Sequence, residues 1–236
     1  PRVLLSYRVL FCPPTLIMNT QIIPTQTASE TSLKTLCNKA LACDICSHKL
    51  PLGPKPIFQI DLHSRILIAS QAPGSFAHRS GIPFMDKSGE RLRAWMGVSE
   101  ADFYNPKNVA IVPMGFCYPG KAKSGDVPPM AECAPKWQSP FLAHLPNVRL
   151  KLLIGLHSQR WHLGAACKKT LTETVRHWGK SLEVIQEGIE SDNTENKLVQ
   201  IPLPHPSPRN NIWLAKNPWF ENELVPLLQA HVARLI

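Results

Sequence analysis

The chain has 236 residues, 44% hydrophobic and 18% charged, with 23 prolines against 12 glycines, so it holds enough apolar surface for a core and many rigid connections. No apolar run approaches the ~18 residues of a membrane-spanning helix, and its seven cysteines are too dilute for a disulfide scaffold. Lys and Arg outnumber Asp and Glu by 26 to 17, a net +9, and such an excess suits a polyanionic partner, nucleic acid first.

The sequence opens at Pro1, and its first methionine is Met18. Residues 1–17 place Arg8 inside an apolar stretch and lack a small-residue cleavage site, unlike a signal peptide. They read as an upstream extension, with the fold running from 18 to 236 in a cytoplasmic protein whose thiols stay reduced. Four short apolar runs then read as buried strands: Arg65–Ser70, Val109–Met114, Lys151–Leu156 and Leu198–Leu203. Helical patterns lie between them. In Ser88–Val98, Leu92, Trp95 and Met96 share a face. In Thr170–Trp178, Leu171, Val175 and Trp178 line up, and Thr170 with Glu173 matches a capping box. Residues 183–196 carry five acids and no Lys or Arg; removing those acids from the +9 balance leaves the remainder at +14. The last helix takes Asn217 as N-cap and Pro218 in its first turn, carries Leu224, Leu227, Leu228, Val232 and Leu235, and is expected to bend at Pro226.

Strands alternating with helices predict a single α/β domain, a mainly parallel four-stranded sheet with helices on both faces. Ligands of such sheets bind beyond the carboxyl ends of the strands. The unusual loops fall there: Gln71-Ala72-Pro73-Gly74, Gly115–Gly120, Gly155-Leu156-His157 and His205-Pro206-Ser207-Pro208. Gly115–Ala122 nearly matches the phosphate-loop pattern GxxxxGK[ST]. It fails on mechanism, because Ala122 offers no hydroxyl for magnesium, Pro119 removes an amide from the cradle, and no helix can open after it.

Ser70-Gln71-Ala72-Pro73-Gly74, then Gly81-Ile82-Pro83-Phe84, Ser88-Gly89 and the distant His205-Pro206-Ser207-Pro208 together resemble the uracil-DNA glycosylase superfamily. The order is similar to the GEAPG…GxPF…AG and HPS motifs of its iron–sulfur branch, over about residues 36–230. The resemblance implies excision of uracil or another deaminated base from DNA by a monomer with no membrane association. The chemistry needs a pocket for a flipped-out base, a donor to its developing negative charge, and a water beside the sugar. Phe84 either stacks on the base or is a core aromatic. The small residues Ala72, Pro73 and Gly74 let backbone amides approach the base, and Ser207 and Arg209 complete the binding set, Arg209 on a phosphate. The resemblance assigns His205 the hydrogen bond to the base carbonyl; a histidine that merely caps a strand end is the alternative. Two departures stand out. Gln71 occupies the motif's glutamate position and Ala72 the aspartate of other members, so His78 supplies a base or Gln71 orients the water. The base-reading asparagine is absent from Pro113-Met114-Gly115, which leaves hypoxanthine and xanthine open beside uracil. Ile212 or Trp213 stands where relatives insert a wedge into the duplex.

Cys43 and Cys46 form C-x2-C, while Cys117 and Cys133 form C-x15-C, a poor zinc spacing. Their layout resembles the [4Fe–4S] ligands of the iron–sulfur branch; zinc, or four unrelated thiols, are the alternatives. Cys12, Cys37 and Cys167 read as bystanders. A damage-recognition protein of the same fold without catalysis is the second functional reading, since the motif carboxylate is missing.

Overall fold

The apolar runs become one sheet. The computed structural model describes residues 27–123, 125–177 and 198–236; the expected extension 1–17, the acidic stretch 183–196 and Trp178 lie outside them. Along the described chain run α1 (Ala28–Leu41), β1 (Ile66–Ala69), α2 (Ser75–Ser80), α3 (Lys87–Met96), α4 (Glu100–Tyr104) and β2 (Val109–Ile111). A small hairpin, β3 (Lys121–Ala122) and β4 (Gly125–Asp126), precedes α5 (Cys133–Ala143), β5 (Leu150–Ile154) and α6 (Gly155–Leu163). Helical residues 171–177 form α7, followed by β6 (Val199–Leu203), α8 (Asn211–Lys216) and α9 (Val225–Val232).

The sheet order is β2-β1-β5-β6, and every neighbouring pair is parallel. Alternation of side chains divides the strands between two cores. Ile66, Ile68, Val109, Ile111, Leu150 and Leu152 join Leu92, Trp95, Met96, Val175, Phe220 and Leu228 on one face. Leu67, Ala110 and Val112 join Ala40, Phe116, Trp137 and Phe141 on the other. Helices therefore cover both faces, which is why the strands read as continuous apolar runs. The open edge of β2 is covered as well: Gln59 and Ile111 exchange both backbone hydrogen bonds (2.9 and 2.7 Å), and that pairing caps the edge.

Three element boundaries differ from expectation. The strand expected over Lys151–Leu156 stops at Ile154, because Gly155 (φ 77°) turns the chain straight into α6. The His157 segment is thus helix rather than loop. The strand expected over Val109–Met114 ends formally at Ile111, yet its ladder continues: Val112, Met114 and Gly115 donate to Ile68, Ser70 and Gln71 (3.0, 2.8 and 2.9 Å). At the C-terminus, Asn217 does not cap through its side chain. It donates to the Trp213 carbonyl and accepts from the Trp219 indole (2.8 and 3.1 Å). A π-helical turn over Phe220–Leu224 precedes α9, with Val225 donating to Phe220, so the wide turn absorbs the amide missing at Pro226. The Thr170–Glu173 capping box is present, both hydrogen bonds made at 3.0 and 3.1 Å.

His162 on α6 gives the fold an acid-sensitive point. Its Nε2 is buried with no partner among the described residues, and burial, helped by the Lys151 ammonium, pushes it down to about 4. The unfolded chain takes up this proton near 6.5, so below that pH the unfolded state binds more protons and stability falls until about pH 4. Urea unfolding between pH 7.5 and 4.5 is expected to show that loss, and His162→Gln to reduce it; identical pH dependence in both proteins would refute the assignment.

Candidate active site

The carboxyl ends of β1 and β6 feed the two loops that build the site. Their register is fixed through β5, where Ala69 pairs with Leu153 and Pro202 with that same residue. Loops leaving β1 and β6 therefore start level and two strand spacings apart, about 10 Å. Between them opens a cleft of ≈ 550 Å³ lined by Ala72, Pro73, Gly74, Phe84, His205, Ser207 and Arg209, with Ile111 and Pro113 from the β2 side. Its size suits a nucleobase-scale ligand. Gln71 and His78 do not line it. The Gln71 amide reaches back to the Val127 carbonyl at 3.5 Å, a weak bond, and His78 lies beside Tyr118 with ring centroids 6.0 Å apart. Burial, then the charges of Lys55 and Arg79, push the His78 imidazole down.

Phe84 is held in an unusual conformation. It is the only non-glycine residue with positive φ (57°) among the described residues, a state that persists only when surrounding structure enforces it. Two contacts do so. The Tyr104 hydroxyl lies 3.0 and 3.2 Å from the Pro83 and Phe84 carbonyls, sharing its hydrogen between them. Gly89 presses on the same turn: a Cβ there would stand 1.8 Å from the Phe84 oxygen. Asp86 then caps α3, accepting from the Ser88 and Gly89 amides at 3.0 and 3.1 Å. Phe84 is half-buried, edge-on to Phe103 at 6.2 Å, so the ring is both supported by the core and presented to the cleft.

His205 faces it. Its backbone carbonyl accepts from Asn210 Nδ2 at 2.7 Å, which folds the loop after Ser207 into a short turn, Pro208–Asn210. Arg91 of α3 clamps that loop, donating to the Ser207 carbonyl and to Asn211 Oδ1 (3.2 and 2.8 Å). Nδ1 of His205 is buried with no partner among the described residues. Burial pushes the imidazole down, while the Asp86 and Asp126 carboxylates pull it up. The net direction is down, so the ring is neutral at pH 7. A neutral imidazole keeps one N–H for donation. Trp213 turns inward, its indole donating to Thr172 at 2.8 Å, whereas Ile212 is 71% exposed on the same helix. Of the two candidates for a wedge, only Ile212 projects outward.

The four expected cysteines come together behind this cleft. Cys43 and Cys46 follow α1, Cys117 follows the buried Phe116, and Cys133 opens α5; all four line one pocket. Phe116 is placed by its packing against Phe58 and Phe141 (5.1 and 5.0 Å), and its amide donates to Cys133 Sγ at 3.3 Å. Burial pushes the Cys133 thiol up to about 12. Burial, then the Glu132 carboxylate, push the Cys46 thiol up, and Glu132 is itself paired with Lys49. Among the described residues, no three His, Cys, Asp or Glu side chains stand close enough to hold a single metal ion. Gly115 separates the two sites, since a Cβ there would meet Pro129 at 2.9 Å and the Ala72 methyl at 3.6 Å. The near-match to a phosphate loop is thus a packed connection, with Phe116 buried and a strand rather than a helix following it.

The family model of the Uracil DNA glycosylase superfamily matches residues 57–229. The chain belongs to that superfamily. The matched span contains every cleft residue named above, together with Cys117 and Cys133, and leaves Cys43 and Cys46 outside. Sequence reasoning about this glycosylase-superfamily cleft missed Asp86, Arg91, Asp126 and Asn210. Asp86 was recoverable, as an Asp directly before a helical pattern. Arg91 and Asn210 act on a loop reached only through the fold, and nothing local marks them.

The tightest contact of the cleft offers a direct check. Gly89→Ala forces the Phe84 turn away from α3, and a substitution of this kind is expected to cost about 1–3 kcal/mol. Urea unfolding measures the cost, and ligand or substrate turnover should fall in the same variant. Wild-type stability in Gly89→Ala would show that the approach is looser than described.

Proposed function

We propose that the protein is a DNA glycosylase that hydrolyses the N-glycosidic bond of uracil or another deaminated base. The observation that carries this reading is the pairing of Phe84 and His205 across one cleft, with an unpartnered His205 nitrogen buried there. A flipped-out base stacks on Phe84 while the small residues of Gln71–Gly74 admit the backbone to its edge. As the bond between C1′ and the base nitrogen breaks, its electron pair moves onto the base. A neutral His205 then donates to the charged carbonyl, and this interaction strengthens toward the transition state. Arg209 at the cleft rim and the basic balance of the chain suit the phosphates on either side. Ile212 suits the space left by the extruded nucleotide.

The lining of one pocket by all four thiols favours a [4Fe–4S] cluster. Cys43, Cys46, Cys117 and Cys133 would hold it, and it would brace the loop from Gly115 to Cys133 in a compartment that keeps thiols reduced, as the cytoplasm does. Protein purified without oxygen is expected to be brown, and Cys133→Ser to lose the broad visible absorption. A colourless preparation with stoichiometric zinc would favour the zinc reading instead.

Single-turnover release of base from uracil-, hypoxanthine- and xanthine-containing DNA tests the catalytic reading. Loss of one such donor costs ~10²–10³ in rate, so His205→Ala is expected to fall by about that factor with DNA affinity retained. Binding of damaged DNA without release by the parent protein would instead establish a recognition module.

A further inference from the structure

The superfamily's first motif is without a carboxylate here, with Gln71 and Ala72 in the relevant positions, yet the cleft is not. Three acids line it: Asp86, Glu90 and Asp126. Two are committed elsewhere. Asp86 Oδ1 accepts two amides of α3 at 3.0 and 3.1 Å, and Glu90 is paired with Lys87 at 2.8 Å. Asp126 belongs to β4 and reaches in from the opposite wall. Its Oδ2 lies 3.9 Å from where a Cβ on Gly74 would stand, directly over the motif that lost its acid. Among the described residues no donor or cation is paired with this carboxylate.

We propose that Asp126, delivered from the β3–β4 hairpin, is the water-activating carboxylate of this enzyme and replaces the one absent from the Gln71–Gly74 motif. The inference rests on the glycosylase reading above. Water is the nucleophile: its oxygen bonds to C1′, the bond from C1′ to the base breaks, and that electron pair leaves on the base, held by His205. The proton lost by the water goes to the Asp126 carboxylate and returns to solvent or the departing base. Asp126 and His205 line the same cleft. Three features hold the hairpin there. Val127 donates to the Gly120 carbonyl at 2.9 Å, the Gln71 amide reaches the Val127 carbonyl, and Arg209 packs over Gly125, its Nη1 2.9 Å from where a Cβ would stand. Gly125 (φ 155°) is required there for its backbone conformation. Gln71 thus serves as a positioning residue for the acid that replaces its own position.

Asp126 is exposed and unpaired, so its substitution leaves folding intact. The experiment is single-turnover base release at saturating DNA by the full chain. Asp126→Asn is expected to slow release ~10²-fold or more, the lower end for a general base, with DNA binding equal or tighter because a negative charge is gone. If the parent releases base while Asp126→Asn keeps a rate within threefold, Asp126 is not the base, and the glycosylase reading stands. An Asp86→Asn variant that is dead beside an active Asp126→Asn would move the role to Asp86. A parent that releases no base from any of the three substrates overturns the reading and this assignment together.

Discussion

Parallel strand pairing is the constraint on which the site depends. Slanted hydrogen bonds between β1, β5 and β6 force their carboxyl ends onto one edge, and a right-handed crossover must cover the sheet between each pair. Two loops 134 residues apart in sequence, after Ala69 and after Leu203, consequently leave the sheet on the same edge. Were one of those two pairings antiparallel, they would leave from opposite ends. The covering helices make that edge usable, because α3 carries Asp86, Gly89 and Arg91 into contact with both loops at once.

The cleft combines rigidity with uneven charge. Phe84 sits in a left-handed conformation because Gly89 and Tyr104 leave its carbonyl one place to go. The ring is thus fixed before a base arrives, and no ordering of the loop is needed on binding. Burial favours a neutral His205, which is the form a donor to an anionic base requires without an extra positive charge to desolvate. Three carboxylates line the cleft, whereas the chain as a whole is basic.

The cysteine pocket and the cleft share a wall. The chain from Gly115 to Cys133 passes between them with Gly115 wedged against Ala72 and Pro129, carrying the β3–β4 hairpin on the way. Its regular structure is two residues per strand, far below what stands alone in water. Support comes from the Val127–Gly120 hydrogen bond and from the flanks of the segment, where Cys117 and Cys133 line the pocket. A metal centre there would act on the cleft through the position of Asp126 and not through contact with a base.

Local pattern determined much of this protein. Branched apolar runs give the four strands; the spacing of Leu92, Trp95 and Met96 gives α3; and the ordered loops give the superfamily. Phe84 and His205 were legible as partners in one cleft through the resemblance, and the four cysteines as a group that now lines one pocket. The tertiary structure alone decided which polar groups meet. Asp126 sits in a stretch without apolar period, and its approach to Gly74 depends on a hairpin folding back across 50 residues. Arg91 reads in sequence as one more solvated cation on a helix, until the crossover brings Ser207 within 3.2 Å of it. Gln71 and His78 stand next to the motif in sequence but do not line the cleft: the Gln71 amide reaches the Val127 carbonyl and the His78 ring lies beside Tyr118. Periodicity encodes which face of an element is buried; it carries no information on which distant element will cover it, because that choice is made by packing.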